Sequence, residues 1–227
     1  MQSLPLLLGL LVSLAGCATP PLDVVPTVAT GSVPVPARPT EAPSHTAANT
    51  AETAVPQWQL ADEWQFRWES LQGKGTFVSV IQREEMVDGV AYYVEVAGQR
   101  EIYVRKTDLA EAMEKVQGAI ESRNVPPRLV AMWPLTLGKQ WTQTYIFERP
   151  RLRDTVEVTQ RCQVEAMETL TVPAGTFRTS KIGCYNQRTG ALVYESWYAP
   201  AVKYWIRQRI HGPVGILERE LLAFKLH

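Results

Sequence analysis

Histidine, net charge and long apolar runs are what this chain has least of. Its 227 residues hold three histidines, and two of them, His211 and His227, fall in the part that can fold. Nucleophile-and-base chemistry and histidine-ligated metal sites therefore have little to work with. Lysine plus arginine equals aspartate plus glutamate, 23 against 23, so no net field draws in nucleic acid, an anionic membrane surface or an acidic substrate. GxSxG, HExxH and a paired CxxC do not occur, and Gly73-Lys74-Gly75 is too short to cradle a phosphate. Glu84 and Glu85 are adjacent, so on a strand they point to opposite faces and cannot share a substrate. The reading is a non-catalytic protein with no cofactor, no metal and no nucleic-acid partner. After residue 17 no uncharged apolar stretch reaches 18 residues, which leaves no transmembrane helix there.

What is present begins with an address. Leu4 to Gly16 is an apolar run of signal-peptide length, ending in small residues before Cys17. Leu14-Ala15-Gly16-Cys17 resembles the bacterial lipobox, and the resemblance implies that 1–16 is a cleaved signal peptide and that Cys17 is acylated. Each buried acyl carbon contributes roughly 0.8 kcal/mol, enough in sum to hold the chain to a membrane. Ala18 in place of aspartate implies outer-membrane residence facing the periplasm, by the sorting pattern of enteric lipoproteins. The rest of 17–56 is proline, threonine, alanine, valine and serine without an aromatic ring, and reads as a disordered tether.

Residues 57–227 read as one β-rich domain. In "EWQFRWES", Trp64, Phe66 and Trp68 alternate with polar residues at the strand period of two. "TFVSVIQRE", "VAYYVEVA" and "REIYVRK" follow, separated by the turn dipeptides Asp88-Gly89 and Gly98-Gln99. In "TDLAEAMEKVQGAIES", Leu109, Met113, Val116 and Ile120 share a helical face, and Asp108 with Glu111 forms a capping box. That spacing predicts one helix, stopped by Pro126-Pro127. Six further β-rich segments, from "LGKQWTQTYIFE" to "GILERELLAFKL", complete the chain. The expected class is mostly β (α+β): a strongly curved antiparallel sheet or half-barrel with the helix on its concave face. A closed β-barrel is the alternative.

Cys162 and Cys184 each lie eleven residues from Pro173, the centre of "LTVPAGTF". Positions equidistant from a hairpin turn face each other, so these two are expected to form a disulfide; a register shift of one residue would leave two thiols.

Val172-Pro173-Ala174-Gly175-Thr176-Phe177 and Trp197-Tyr198-Ala199-Pro200, with "PLTLGKQW" before them, resemble a group of bacterial exported domains of unknown function called TapB-like. The resemblance implies a curved antiparallel sheet similar to periplasmic lipoprotein-carrier folds, which hold lipid in an apolar concavity. Read from the residues alone, the same motifs are a turn and a run of rings. The functional expectation is an envelope lipoprotein binding a hydrophobic or amphiphilic ligand, with Trp64, Trp68, Met113, Val116, Trp141, Trp197, Tyr204 and Trp205 as candidate lining residues. The alternative is a structural protein that docks another envelope protein. Arg207, Arg209 and His211 share a strand face and are read either as a headgroup site or as solvated edge charge.

Overall fold

A computed structural model of the chain describes residues 55–227. The expectations for the signal peptide, Cys17 and most of the tether fall outside the described residues. Twelve antiparallel strands close into a barrel in the order β1-β12-β11-β10-β9-β8-β7-β6-β5-β4-β3-β2, so each strand pairs with its chain neighbours and β1 meets β12. They are β1 (Glu63–Ser70), β2 (Gly73–Val87), β3 (Val90–Ala97), β4 (Arg100–Arg105), β5 (Glu111–Val116), β6 (Ala119–Arg128), β7 (Gln140–Arg149), β8 (Asp154–Val172), β9 (Gly175–Asn186), β10 (Leu192–Ala199), β11 (Tyr204–Gly212) and β12 (Gly215–Lys225). Two 3-10 turns, Pro150–Leu152 and Pro200–Val202, complete the described elements. The closed barrel therefore replaces the half-barrel, and closure removes the sheet edges that an open sheet must protect.

The expected helix is a hairpin. Leu109, Met113, Val116 and Ile120 are divided among a loop, β5 and β6, and Gln117 and Gly118 take φ of 52° and 79° at the tip. Positive φ at both central residues is the type I′ requirement, and it matches the right-handed twist of the flanking strands. Asp108 caps no helix; it pairs with Arg105 at 2.6 Å and accepts the Ala110 N–H at 3.1 Å. Register shifts between Glu111 and Met113 and between Glu114 and Lys115 destroy the two-residue alternation, and the apolar spacing that remained imitated a helix.

Eight strands give a barrel that side chains can fill; twelve enclose more than that. Here the surplus is filled by the chain itself. β6 pairs β7 through only Arg123, Asn124 and Val125, because Pro126 and Pro127 have no N–H to offer. Beyond them the Gln143 side chain replaces the ladder, accepting from Leu129 N at 2.8 Å and donating to Leu129 O at 2.7 Å. The connection 129–139 then turns into the barrel mouth, burying Val130, Ala131 and Leu135 against Trp141, Tyr198 and Trp205. Lys139 Nζ holds it by donating to the carbonyls of Trp133 and Pro134 at 2.9 and 3.0 Å. The lead-in from Val55 enters the same mouth and buries Trp58 against Trp64, Tyr93 and Tyr204, with its indole N–H donating to Lys203 O at 2.8 Å.

Cys162 and Cys184 are directly opposed on β8 and β9 and joined by a disulfide, with Cα atoms 4.0 Å apart. The pairing is the expected one, but a bulge creates it rather than abolishing it. Near the turn Val172 faces Gly175, a register that carried on unbroken would set Cys162 against Tyr185. The irregularity between Val164 and Ala166 takes up Glu165 and restores the match. Gly183 makes room for it: a Cβ there would stand 2.3 Å from Glu165 Oε1.

Candidate functional site

The connections β2–β3, β4–β5, β6–β7, β8–β9 and β10–β11 all lie at one end of an antiparallel barrel, together with the lead-in to β1. A cavity of about 20 Å³ sits under that end, lined among others by Trp58, Glu95, Glu111, Trp133, Tyr204 and Trp205. That is room for about one water molecule.

The polar centre of the cavity is Glu95, the inward residue in the middle of β3 and only 2% exposed. Its Oε1 accepts from Ser79 Oγ and, at 2.7 Å, from Tyr204 Oη. Burial pushes the Glu95 carboxyl above the usual carboxylate range, against the pull of these two hydroxyls. Burial and then the nearby Glu95 raise Tyr204 well above an ordinary phenol, so it stays a donor. Glu111, the second carboxylate on the cavity, is held by Arg128 at 2.5 Å. Arg128 in turn lies 5.5 Å from the centre of the Tyr194 ring, and Gln208 Nε2 donates to Tyr194 Oη at 2.6 Å. The interior thus carries a polar seam whose members are mostly committed to one another. The Trp133 indole nitrogen is an exception: it is buried with no partner among the described residues. Among the described residues, no group of three or more His, Cys, Asp or Glu side chains could hold a metal ion.

The raised Glu95 predicts a pH effect with a definite sign. Between the unfolded and folded pKa the native state binds more protons than the unfolded state, so this group's contribution falls as pH rises through that window. Glu195 and Glu220 act oppositely. Burial tends to raise both, but Lys181 and His211 hold Glu195 below the ordinary range and Arg67 and Arg207 hold Glu220 there, so their contributions are lost as pH falls. Glu95→Gln isolates the first effect. Its stability relative to the native protein is expected to increase as pH rises above the ordinary carboxylate range in urea melts; a difference that does not change with pH would show that the Glu95 carboxyl is not shifted by folding.

Of the eight candidate lining residues, Tyr204 and Trp205 line the cavity. Adjacent strand residues point to opposite faces. These two nevertheless share one space, because Tyr204 is the first residue of β11, directly after the 3-10 turn and Lys203 at φ 57°. Trp64 lies one layer away, stacked on Tyr204 at 4.4 Å with its N–H on Val202 O at 2.9 Å. Trp141 packs beside the disulfide, opposite Cys162. Trp68 covers Gly75 toward the far end, where a Cβ would come within 2.9 Å of the indole nitrogen, and Val116 is also there, opposite Arg100. Met113 faces Tyr103 in a separate cluster with Tyr92 and Val94, on the sheet face away from the cavity. Trp197 is on the outer face of β10 between Lys181 and Arg207, donating to Glu168 Oε1 at 2.6 Å. Sequence reasoning missed Glu95, Glu111, Trp58 and Trp133. One signal for Glu95 was available: a lone charge in the middle of "VAYYVEVA", a strand apolar on both faces.

The arginine face is neither an edge nor free. Arg207 and Arg209 approach Glu218 at 3.6 and 3.0 Å, Arg207 also meets Glu220, and His211 Nε2 lies 3.0 Å from Glu195. Ion pairs run from Lys181 on β9 to Arg67 on β1, so this surface is internally neutralised.

No protein-family model matches the chain, and no curated protein does, so the TapB-like resemblance gains no support from them. Solved structures are similar at low scores, three of them as follows. One, described as an exported protein with a YmcC-like fold from Bacteroides fragilis, aligns with a TM-score of 0.43 at 13% identity, over 76% of this chain and 99% of that one. A structure described as a lipoprotein from Parabacteroides distasonis gives 0.40 at 11%, over 76% and 99%. The hypothetical lipoprotein YmcC of Escherichia coli gives 0.36 at 12%, over 72% and 84%. Likeness at this level carries no function to the chain.

Proposed function

We propose that this chain is a lipid-anchored, non-catalytic protein of the bacterial cell envelope whose barrel docks another envelope component rather than carrying a ligand inside. The observation behind this reading is the filled interior. A cavity of about 20 Å³ is far below the roughly 300–1,000 Å³ of a small-molecule site. An acyl chain would have to displace Trp58, Val130 and Trp133 together. The two cavity carboxylates have internal partners, Ser79 and Tyr204 for Glu95 and Arg128 for Glu111, so neither stands free as a general base. The envelope part rests on the lipobox-like Leu14–Cys17, on Ala18 for the outer membrane, and on a disulfide of the kind oxidising compartments favour.

Native mass spectrometry of residues 55–227, purified from a periplasm without reductant, tests the reading. The expected result is the mass of the bare polypeptide with its disulfide closed. A stoichiometric lipid or other small molecule in repeated preparations would overturn docking in favour of an interior binder.

A further inference from the structure

The end of the barrel opposite the cavity has a different chemistry. Its six connections are 71–72, 98–99, 117–118, 150–153, 187–191 and 213–214. They contain Arg151, Arg153 and Arg188 and not one aspartate or glutamate. The cavity end, by contrast, mixes Asp88 and Asp108 with Lys106, Lys139 and Lys203. Of the acids on the far-end strand termini, Asp154 pairs with Arg149, Glu148 with Arg123 and Glu121 with Arg151 at 3.3 Å across an exposed pair, while the exposed Glu69 lies opposite Lys74 of β2. Arg153 and Arg188 have no ion pair among the described residues. From the same tips protrude Leu71, 85% exposed, and Leu152 and Val214, each 64% exposed. The β1–β2, β11–β12, β9–β10 and β7–β8 tips are consecutive around the barrel, so these groups form one arc.

We infer that this arc docks the barrel on a phospholipid surface bearing anionic headgroups. The inference rests on the docking reading and names the partner. Single leucine and valine side chains on separate hairpin tips do not make the contiguous apolar core of a protein interface. A bilayer accepts them one at a time, since each apolar tip enters the headgroup boundary while neighbouring guanidiniums stay at the phosphates. Arg151-Leu152-Arg153 has that form within one turn, and the carboxylate-free loops remove the repulsion an anionic surface would otherwise meet.

Residues 55–227 close a barrel around their own core, so the chain without its anchor is the correct object to test. Flotation with vesicles of phosphatidylglycerol and phosphatidylethanolamine is expected to retain at least tenfold more protein than phosphatidylcholine vesicles, with the excess lost in high salt. Leu71→Ser with Leu152→Ser and Val214→Ser should cut retention about tenfold, as should Arg153→Glu with Arg188→Glu, each at an unchanged melting temperature. Hydrogen exchange of the native sequence on vesicles gives a reading independent of the variants: protection at 71–72, 150–153 and 213–214, and none at 129–139, is expected. No retention on anionic vesicles, or retention untouched by both variants, overturns the inference. Crosslinking of these tips to an envelope protein without vesicle binding would also overturn it, leaving docking itself intact. A co-purified ligand would instead overturn docking.

Discussion

Trp64→Ala is expected to destabilise the barrel by about 3–5 kcal/mol, lowering its melting temperature by on the order of 10 °C. Trp64 is fully buried, stacks on Tyr204 and has Trp58 5.6 Å away. Truncation leaves a void that three strands and the lead-in cannot collapse to fill, and orphans the carbonyl of Val202. Trp68 is the control. It is the same residue type on the same strand, four positions on and facing the same side, but only partly buried, so Trp68→Ala should cost under about 2 kcal/mol. Trp64→Phe should fall between them, since it keeps a ring and loses the hydrogen bond. Equal losses at 64 and 68 in urea melts would contradict the register of β1. The loss at 64 should also loosen the cavity end, visible as faster hydrogen exchange in Pro200–Lys203.

Replacing both Cys162 and Cys184 by alanine is the second large effect, expected at about 3 kcal/mol. The bridge closes a loop of 22 residues, for which the chain-entropy model gives a value of that order. The two sulfurs also fill space in the core beside Trp141, Val164 and Ile182, so alanine adds a packing loss to the entropic one. Urea midpoints with and without reductant measure the effect, and the double variant should match the fully reduced native protein to within that packing loss. A native protein whose midpoint is indifferent to prolonged reduction in denaturant would show that the bridge is not closed. If β8 and β9 ran without their bulge, Cys162 would lie opposite Tyr185 and no bridge would form.

That bulge shows how local reasoning can reach a correct contact by an incomplete route. Counting outward from Pro173 placed the symmetry centre half a residue away from the real turn, between Pro173 and Ala174; the extra residue at Glu165 compensates. The failure at 107–122 has the opposite form. Most local cues there favour a helix, from the spacing of Leu109, Met113 and Val116 to the acidic capping residues, with Gly118 as the cue against it. Glu111 and Glu114 alternate with nothing apolar because their side of β5 faces the polar seam and Arg100 rather than a greasy core. Strands β4 and β6 supply the hydrogen bonds that override propensity. The candidate site was partly legible, since Tyr204 and Trp205 do line the cavity. Met113 and Trp197 were assigned to it because apolar and aromatic content says nothing about which face of a sheet a residue occupies.

By itself, the sequence determined the strand segments β1 and β3 with their bounds, the Asp88-Gly89 turn and the rarity of histidine chemistry in the folded part. Each of these depends only on a two-residue period, on backbone angles within a few positions, or on composition. The tertiary structure alone decided that twelve strands close on themselves, that 55–58 and 129–139 fill the space so enclosed, and that Glu95 is buried between Ser79 and Tyr204. It also decided that the acid-free tips share one end. These depend on bulges and on pairings between residues far apart in the chain, and a shift of one residue in any register turns each side chain of that strand to the opposite face.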